Sequence, residues 1–215
     1  MKFLLFYSIV LFSNIAKSEI IRTYNIGYLD VKEDLRYTKY GIHPVDIRSK
    51  LNKEKRALSG AKLGIEDSKK FIRLTKTNLL LKHIRKNNFA EAMNFLENEE
   101  LDGYDAFLID LKIENLERFK NIISNKLSII FFNVSDPNND IRKKLCLRNF
   151  YNTFPSNSIL TDSISQYLVK RKLQKTLLLT GPLDYDKEIS LSFKQSAQKF
   201  GIKIIKENFF VNNND

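Results

Sequence analysis

Residues 127–134 read LSIIFFNV, an almost unbroken apolar run that the turn-forming residues 136–139, DPNN, bring to a close. A run of this length is typical of a strand buried on both faces of a parallel sheet. Residues 106–111, AFLIDL, and residues 176–180, TLLLT, have the same character, and Gly181 and Pro182 close the latter. We therefore predict three buried parallel strands.

Amphipathic segments separate these runs. Apolar residues recur at helical spacing in residues 58–74, 89–100, 114–124, 156–172 and 186–200. Further strands are predicted at residues 20–29, 78–84, 149–153 and 202–205, where β-branched and aromatic residues are frequent. Strands and helices that alternate in this way predict an α/β fold, with parallel sheets flanked by helices and right-handed crossovers.

Composition narrows the function classes. The 215 residues carry a formal charge of +11, which is compatible with a nucleic-acid partner. However, Lys and Arg are interleaved with Asp and Glu and no nucleic-acid motif is present, so we predict no such partner. The single cysteine, Cys146, excludes an internal disulfide, and no ligand spacing joins it to the two histidines as a zinc site. We expect Cys146 to be a buried or half-buried structural residue, the alternative being a nucleophile activated by neighbouring cations.

The N-terminus has the form of a secretory signal peptide. Lys2 precedes an apolar run over residues 3–12, and small residues lie two apart at Ala16 and Ser18. The run is too short to cross a bilayer, which needs about 20 residues. We predict a signal peptide over residues 1–18 and a mature protein in the periplasm; the alternative is a short anchor that stays attached.

Motifs for catalysis or nucleotide binding are missing from the sequence. It contains no GxGxxG, no GxxxxGK[ST], no GxSxG and no HExxH. We therefore predict a protein that is not an enzyme and has no cofactor and no metal. In a parallel α/β sheet, ligands bind beyond the carboxyl ends of the strands. This rule selects Tyr28, Leu29, Asp110, Asn133, Ser135 and Gly181 as candidates, although the polar ones could instead cap a strand end or pack with their polar atoms outward.

Several longer blocks resemble one family. They are residues 131–142 (FFNVSDPNNDIR), 152–182 (NTFPSNSILTDSISQYLVKRKLQKTLLLTGP), 26–31 (IGYLDV), 105–111 (DAFLIDL) and 199–210 (KFGIKIIKENFF). They are similar to the substrate-binding proteins associated with bacterial PQQ-dependent alcohol oxidation. That group is a branch of the type 1 periplasmic binding proteins, the leucine/isoleucine/valine-binding class of ABC transport.

The resemblance implies two α/β lobes that close on a small polar solute. It places an N-terminal lobe at residues 19–154, a crossing near residues 153–156, an incomplete second lobe at residues 155–210 and a polar tail at residues 211–215. The expected partners are ABC transporter membrane subunits or a periplasmic quinoprotein dehydrogenase system. The alternative is a truncated relative that does not transport and acts as a structural or partner-binding periplasmic protein.

The resemblance also extends the set of expected ligand-binding residues, because the segment after the strand at residues 127–134 corresponds to one that contacts ligand in the relatives. The full set is Tyr28, Asp110, Asn133, Ser135, Asp136, Asn138, Thr153 and Ser156. One departure concerns the ligand. The relatives hold an amino acid's carboxylate with a loop rich in serine and threonine, whereas Leu-Lys-Ile-Glu follows Asp110 here. The sequence therefore does not predict an amino-acid ligand.

Overall fold

The computed structural model describes residues 22–37, 57–98, 101 and 103–210. The predicted signal peptide at residues 1–18 and the predicted polar tail at residues 211–215 lie outside these ranges. Among the described residues, no helix is both long and apolar enough to cross a membrane.

Within the described ranges, five parallel strands form a first sheet. They are β1 (Arg22–Val31), β2 (Thr77–Lys86), β3 (Ala106–Asp110), β4 (Ile130–Asn133) and β5 (Phe150–Asn152). Their order is β2-β1-β3-β4-β5, and every neighbouring pair is parallel. The predicted α/β fold with parallel sheets flanked by helices is confirmed. β2, β3 and β5 match predicted strands closely, and β1 extends two residues further at its carboxyl end than predicted, while residues 20 and 21 of that prediction lie outside the described ranges.

Helices connect these strands. A short 3-10 helix (Leu35–Tyr37) follows β1, and α1 (Leu58–Asp67) and α2 (Lys69–Thr75) precede β2. Next come α3 (Phe89–Glu97), α4 (Leu116–Ser124) and α5 (Asn139–Lys144). Asparagines start the last three helices: the side chains of Asn88, Asn115 and Asn138 each accept a hydrogen bond from a backbone N–H in the first turn.

The first sheet has its apolar core on one face. Phe107 and Phe131 are fully buried there with stacked rings whose centroids lie 5.8 Å apart. Helix α3 adds Met93 and Leu96, and α4 adds Phe119, which is also fully buried. Burying one such side chain stabilises the fold by about 1.5–3 kcal/mol. This layer is therefore the main source of stability in the first unit, by which we mean the first sheet with its helices.

A second, two-stranded sheet follows. It consists of β6 (Lys175–Thr180) and β7 (Lys203–Phe209), which are parallel, and the helices α6 (Asn157–Lys170) and α7 (Asp184–Lys199) accompany it. The hydroxyl of Thr180 lies 2.9 Å from that of Ser190 in α7, so this face of β6 is covered by α7. Because side chains alternate along a strand, Leu177 and Leu179 point to the opposite face.

Three sequence-based expectations are corrected. The strand at residues 176–180 is not buried, since Leu177 and Leu179 are 57% and 60% exposed on the face away from α7. The run at residues 127–134 pairs as a strand only from Ile130, because the N–H of Ile129 closes a turn onto the carbonyl of Lys126. The predicted helix at residues 58–74 is two helices that meet at residue 68.

Cys146 is exposed and is not the buried or half-buried structural residue predicted from the sequence. Its neighbour Leu145, at the end of α5, is buried in the core. Leu145 therefore takes the inward position at this bend of the chain, and Cys146 is left facing solvent.

Candidate functional site

The order of the first sheet reverses direction at β1, which has β2 on one side and β3 on the other. Such a switch point opens a crevice beyond the carboxyl ends of the two strands. Asp30 of β1 and Asp110 of β3 are partners in the register there, and both are fully buried. We call the strand ends at this switch point, together with residues 32–37 after β1, residues 111–115 after β3 and residues 134–138 after β4, the carboxyl edge.

The carboxylate of Asp110 is the centre of this edge. It accepts hydrogen bonds from the hydroxyl of Tyr28 at 2.5 Å, from the hydroxyl of Tyr37 at 2.8 Å and from the guanidinium of Arg36 at 3.3 Å. Burial, followed by the charge of Asp110, raises the pKa of both tyrosines above its ordinary value. Both hydroxyls are therefore protonated donors at neutral pH.

Arg36 joins the segment after β1, the loop after β4 and the end of β3 through its guanidinium. Its Nε and NH2 groups donate to both carboxylate oxygens of Asp34 at 2.7–3.2 Å. Its NH1 group donates to the Oγ of Ser135, 2.9 Å away in the loop after β4. Burial lowers the pKa of Arg36, but the hydrogen bonds and charge of Asp34 outweigh that effect and raise the pKa overall. The side chain is therefore a charged fork, and it is only 23% exposed.

Asn133 shapes the loop after β4. Its Nδ2 donates to the carbonyl of Asp136 at 2.8 Å and to the side-chain oxygen of Asn152 at 3.0 Å. Its Oδ1 accepts the backbone N–H groups of Ser135 and Asp136. The carboxylate of Asp136 in turn accepts the N–H of Ile113, 2.7 Å away, and so ties this loop to the loop after β3.

The remaining predicted residues border this network. Asn138 donates its backbone N–H to Asp136 and caps α5 with its side chain. The hydroxyl of Thr153 donates to the carbonyl of Asn133 at 3.0 Å. Ser156 is buried and caps α6. The structure thus links seven of the eight predicted residues by hydrogen bonds or by the short loop after β4, and Ser156 borders that loop, since the N–H of the next residue, Asn157, donates to the carbonyl of Pro137 at 2.8 Å. Whether these residues bind a ligand stays a prediction.

A second ion-pair cluster lies beside Asp110. The fully buried carboxylate of Asp30 accepts hydrogen bonds from the Nε and NH2 groups of Arg85, both at 2.8 Å. The Nε2 atom of His83 lies 3.1 Å from the same carboxylate. The ring of His83 also meets that of Tyr28 edge-on, with centroids 5.5 Å apart. The two clusters are therefore adjacent.

Sequence reasoning missed several side chains of this edge: Asp30, Asp34, Arg36, Tyr37, His83 and Arg85. A signal existed for Asp30, because it is two residues after Tyr28 and so shares its face of β1. A similar signal existed for the β2 residues, because His83 and Arg85 align with Tyr28 and Asp30 once β2 is paired with β1.

Chemically, the carboxyl edge offers hydroxyl, amide, carboxylate and guanidinium groups that are already hydrogen-bonded to one another. Such groups are suited to the recognition of a polar solute. The hydroxyls of Tyr28 and Tyr37 do face a carboxylate, that of Asp110, but their raised pKa keeps them protonated, which is the opposite of an activated nucleophile. Within the described ranges, no group of three or more His, Cys, Asp or Glu residues is arranged to hold a metal ion.

Comparisons with known proteins place the fold. No protein-family model matches the sequence, and no curated protein matches it significantly. Solved structures do match. An ABC transporter substrate-binding protein from Desulfitobacterium hafniense in complex with Leu has a TM-score of 0.60 at 13% identity, over 89% of this chain and 52% of that one.

Two further solved structures are similar. A putative branched-chain amino acid ABC transporter from Rhodospirillum rubrum has a TM-score of 0.62 at 8% identity, over 89% of this chain and 51% of that one. The solute-binding protein of an ABC transporter from R. palustris, in complex with benzoate, has a TM-score of 0.55 at 14% identity, over 89% of this chain and 49% of that one. The chain has the fold of these binding proteins and spans about half their length.

Proposed function

We propose that this protein is the substrate-binding component of an ABC-type transport or sensing system and binds a small polar solute at the carboxyl edge. The observation that carries the proposal is the buried polar network around Asp110 at the switch point of the first sheet. Structures that share the fold hold Leu in one case and benzoate in another, and both ligands are small molecules with a carboxylate.

The proposal extends to the division of the chain and its location. Residues 19–154 form the first lobe, residues 155–210 belong to a second lobe, and the solute lies between them. Residues 153–156 make the connection between β5 and α6, where a hinge would fall. Export to the periplasm by the segment at residues 1–18, and a link to PQQ-dependent alcohol oxidation, rest on the sequence alone.

A ligand screen tests the proposal. The thermal midpoint of the purified protein is measured with leucine, benzoate, short alcohols, aldehydes and carboxylates. A solute that binds only the folded state adds RT ln(1 + [L]/Kd), or about 2.7 kcal/mol at 100-fold excess over Kd. For a chain of this size, that is a rise of roughly 5–10 °C.

Two variants locate the site. Asp110→Asn keeps the size of the side chain, removes its charge and should abolish the shift. Asp184→Asn is the matched control, because the side chain of Asp184 is 88% exposed on α7, and it should leave the shift unchanged. A shift that survives in Asp110→Asn would place the ligand elsewhere.

A second candidate is a periplasmic protein that binds a partner and does not transport. The exposed apolar side chains of the second unit favour it, including Leu177, Leu179 and Ile205. Large exposed apolar patches mark protein interaction surfaces. The absence of any solute shift, together with concentration-dependent association in light scattering that Leu177→Ser abolishes, would select this candidate.

A further inference from the structure

Arg36 occupies the position at the switch point where the proposed function places a solute. Its guanidinium lies between the carboxylates of Asp34 and Asp110, at 2.7 Å and 3.3 Å, and reaches Ser135 at 2.9 Å. Asp110 and Ser135 are two of the residues that the strand-end rule selects for solute contact. The side chain of Arg36 thus already donates hydrogen bonds to Asp110 and Ser135, which would otherwise be available to a solute.

The way Arg36 is held resembles the binding of a separate ligand. The Nε and NH2 edge forms a fork on Asp34, the geometry in which a guanidinium recognises a carboxylate. The planar group also lies 5.3 Å from the centre of the Tyr37 ring. Carboxylates, a hydroxyl and an aromatic ring therefore surround this cation, and they come from β3 and from the loops after β1 and β4.

We propose that Arg36 is an internal occupant of the carboxyl edge, and that a solute gains access to Asp110 only when its guanidinium leaves. The inference rests on the proposed function for the identity of the edge as a solute site. It also has a direct chemical consequence. Shortening Arg36 opens a site whose chemistry fits small guanidinium cations.

The experiment uses the variant Arg36→Ala and methylguanidinium chloride, with ionic strength held constant by NaCl. The variant should melt below the wild-type protein, because the buried carboxylates of Asp34 and Asp110 lose their cationic partner. With a Kd of about 1 mM, 10 mM methylguanidinium should raise its midpoint by about 3–6 °C in a saturable manner. The wild-type protein, whose site is filled, should show no such rise.

Arg118→Ala is the matched control. Arg118 makes the same fork on a carboxylate, that of Glu97, but on the surface between α3 and α4. Because water reaches that pair, methylguanidinium should give no saturable rise in this variant. An equal rise in all three proteins, or none in Arg36→Ala, would overturn the proposal.

If Arg36→Ala does not fold in buffer, refolding is the readout. Methylguanidinium at 10 mM should then restore the near-ultraviolet circular dichroism of the variant, whereas the same concentration of tetramethylammonium should not. Failure of both cations to restore it would also refute the proposal. The solute screen on the wild-type protein is independent of this result, so failure here leaves the proposed function standing.

Discussion

Gly27 lies in the middle of β1, and a single added methyl group there tests the packing of the first sheet. A Cβ at this position would lie 2.3 Å from Cε1 and 2.6 Å from Cδ1 of Phe107, far inside van der Waals contact. The ring cannot move freely, because Tyr104 lies 4.8 Å from it and Phe131 lies 5.8 Å from it, centroid to centroid. The backbone of β1 is held equally firmly, since it pairs with β2 and β3 on either side.

Gly27→Ala should therefore cost roughly 2 kcal/mol, the middle of the range for overpacked cores. In a chain of this length, that loss lowers the thermal midpoint by roughly 4–8 °C. Urea unfolding followed by far-ultraviolet circular dichroism measures the free energy directly. Gly60→Ala is the control, because Gly60 lies in α1 with nothing within 4 Å of an added Cβ. That variant should be unchanged or more stable by up to about 1 kcal/mol.

The double variant Gly27→Ala with Phe107→Leu makes the test specific. Phe107→Leu alone leaves a void and should destabilise the protein by about 1–2 kcal/mol. In the double variant the new methyl group partly fills that void, so the combined loss should be smaller than the sum by at least about 1 kcal/mol. Additive losses, or a neutral Gly27→Ala, would show that the contact between this glycine and the phenylalanine ring does not constrain the sheet.

Three further predictions follow from single side chains. Asn149 donates from its Nδ2 to three backbone carbonyls, so Asn149→Ala should cost about 2–3 kcal/mol in urea unfolding, and a loss below 1 kcal/mol would contradict this. The raised pKa values of Tyr28 and Tyr37 mean that folding favours their protonated forms. Their contribution should be complete below about pH 10 and lost as the pH rises further, because tyrosines of the unfolded chain ionise first. Tyr28→Phe should flatten that decline in urea unfolding at pH 9–11.5. Exposed Cys146 should react fully with a thiol reagent in the native protein, and a requirement for urea would show that it is covered.

The sequence was sufficient to predict the strands of the first sheet, because the central ones follow the simplest physical pattern, a continuous apolar run. Residues 106–111 and 127–134 are apolar runs, and Phe107 and Phe131 within them are fully buried. β2 is half-exposed along its length, but its β-branched and apolar residues still sufficed to predict it. Because ligands bind beyond the carboxyl ends of parallel strands, these strands then predicted Asp110 and Asn133 as candidate site residues.

Half of the missed side chains, Asp34, Arg36 and Tyr37, come from the segment after β1, and the other half lie in the strands β1 and β2. Arg36 follows β1 in a polar, basic stretch without periodicity, and residue type alone does not say which of its many cations turns inward. What selects Arg36 is the fork on Asp34, a contact between residues two apart that depends on the local turn. Helix and strand periodicity carry no information on such a contact, which is why the key cation of the edge escaped prediction.

The helices and strands of the second unit were predicted, but the burial of residues 176–180 was not predicted correctly, because the interior of this unit is largely polar. The hydroxyls of Thr161 and Ser196 join α6 to α7 at 2.9 Å, while apolar residues such as Leu177 face outward. Hydroxyl pairs of this kind contribute only about 1 kcal/mol each, so this unit gains less from its own burial than the first. It is also attached to the first unit through the loop after β4. Asn139 donates to the hydroxyl of Ser192 in α7 and accepts the N–H of Ser158 in α6.

The same loop therefore serves the site and the second unit. Asp136 and Asn138 order it from the side of the carboxyl edge, and Asn139, the next residue, holds α6 and α7. A weakly stabilised unit attached at such a point responds to small shifts at its attachment, because little packing energy opposes the movement. Displacement of Arg36 from Ser135, three residues before Asn138, would act on this loop first. Residues 135–139 therefore contact both the carboxyl edge and the helices of the second unit.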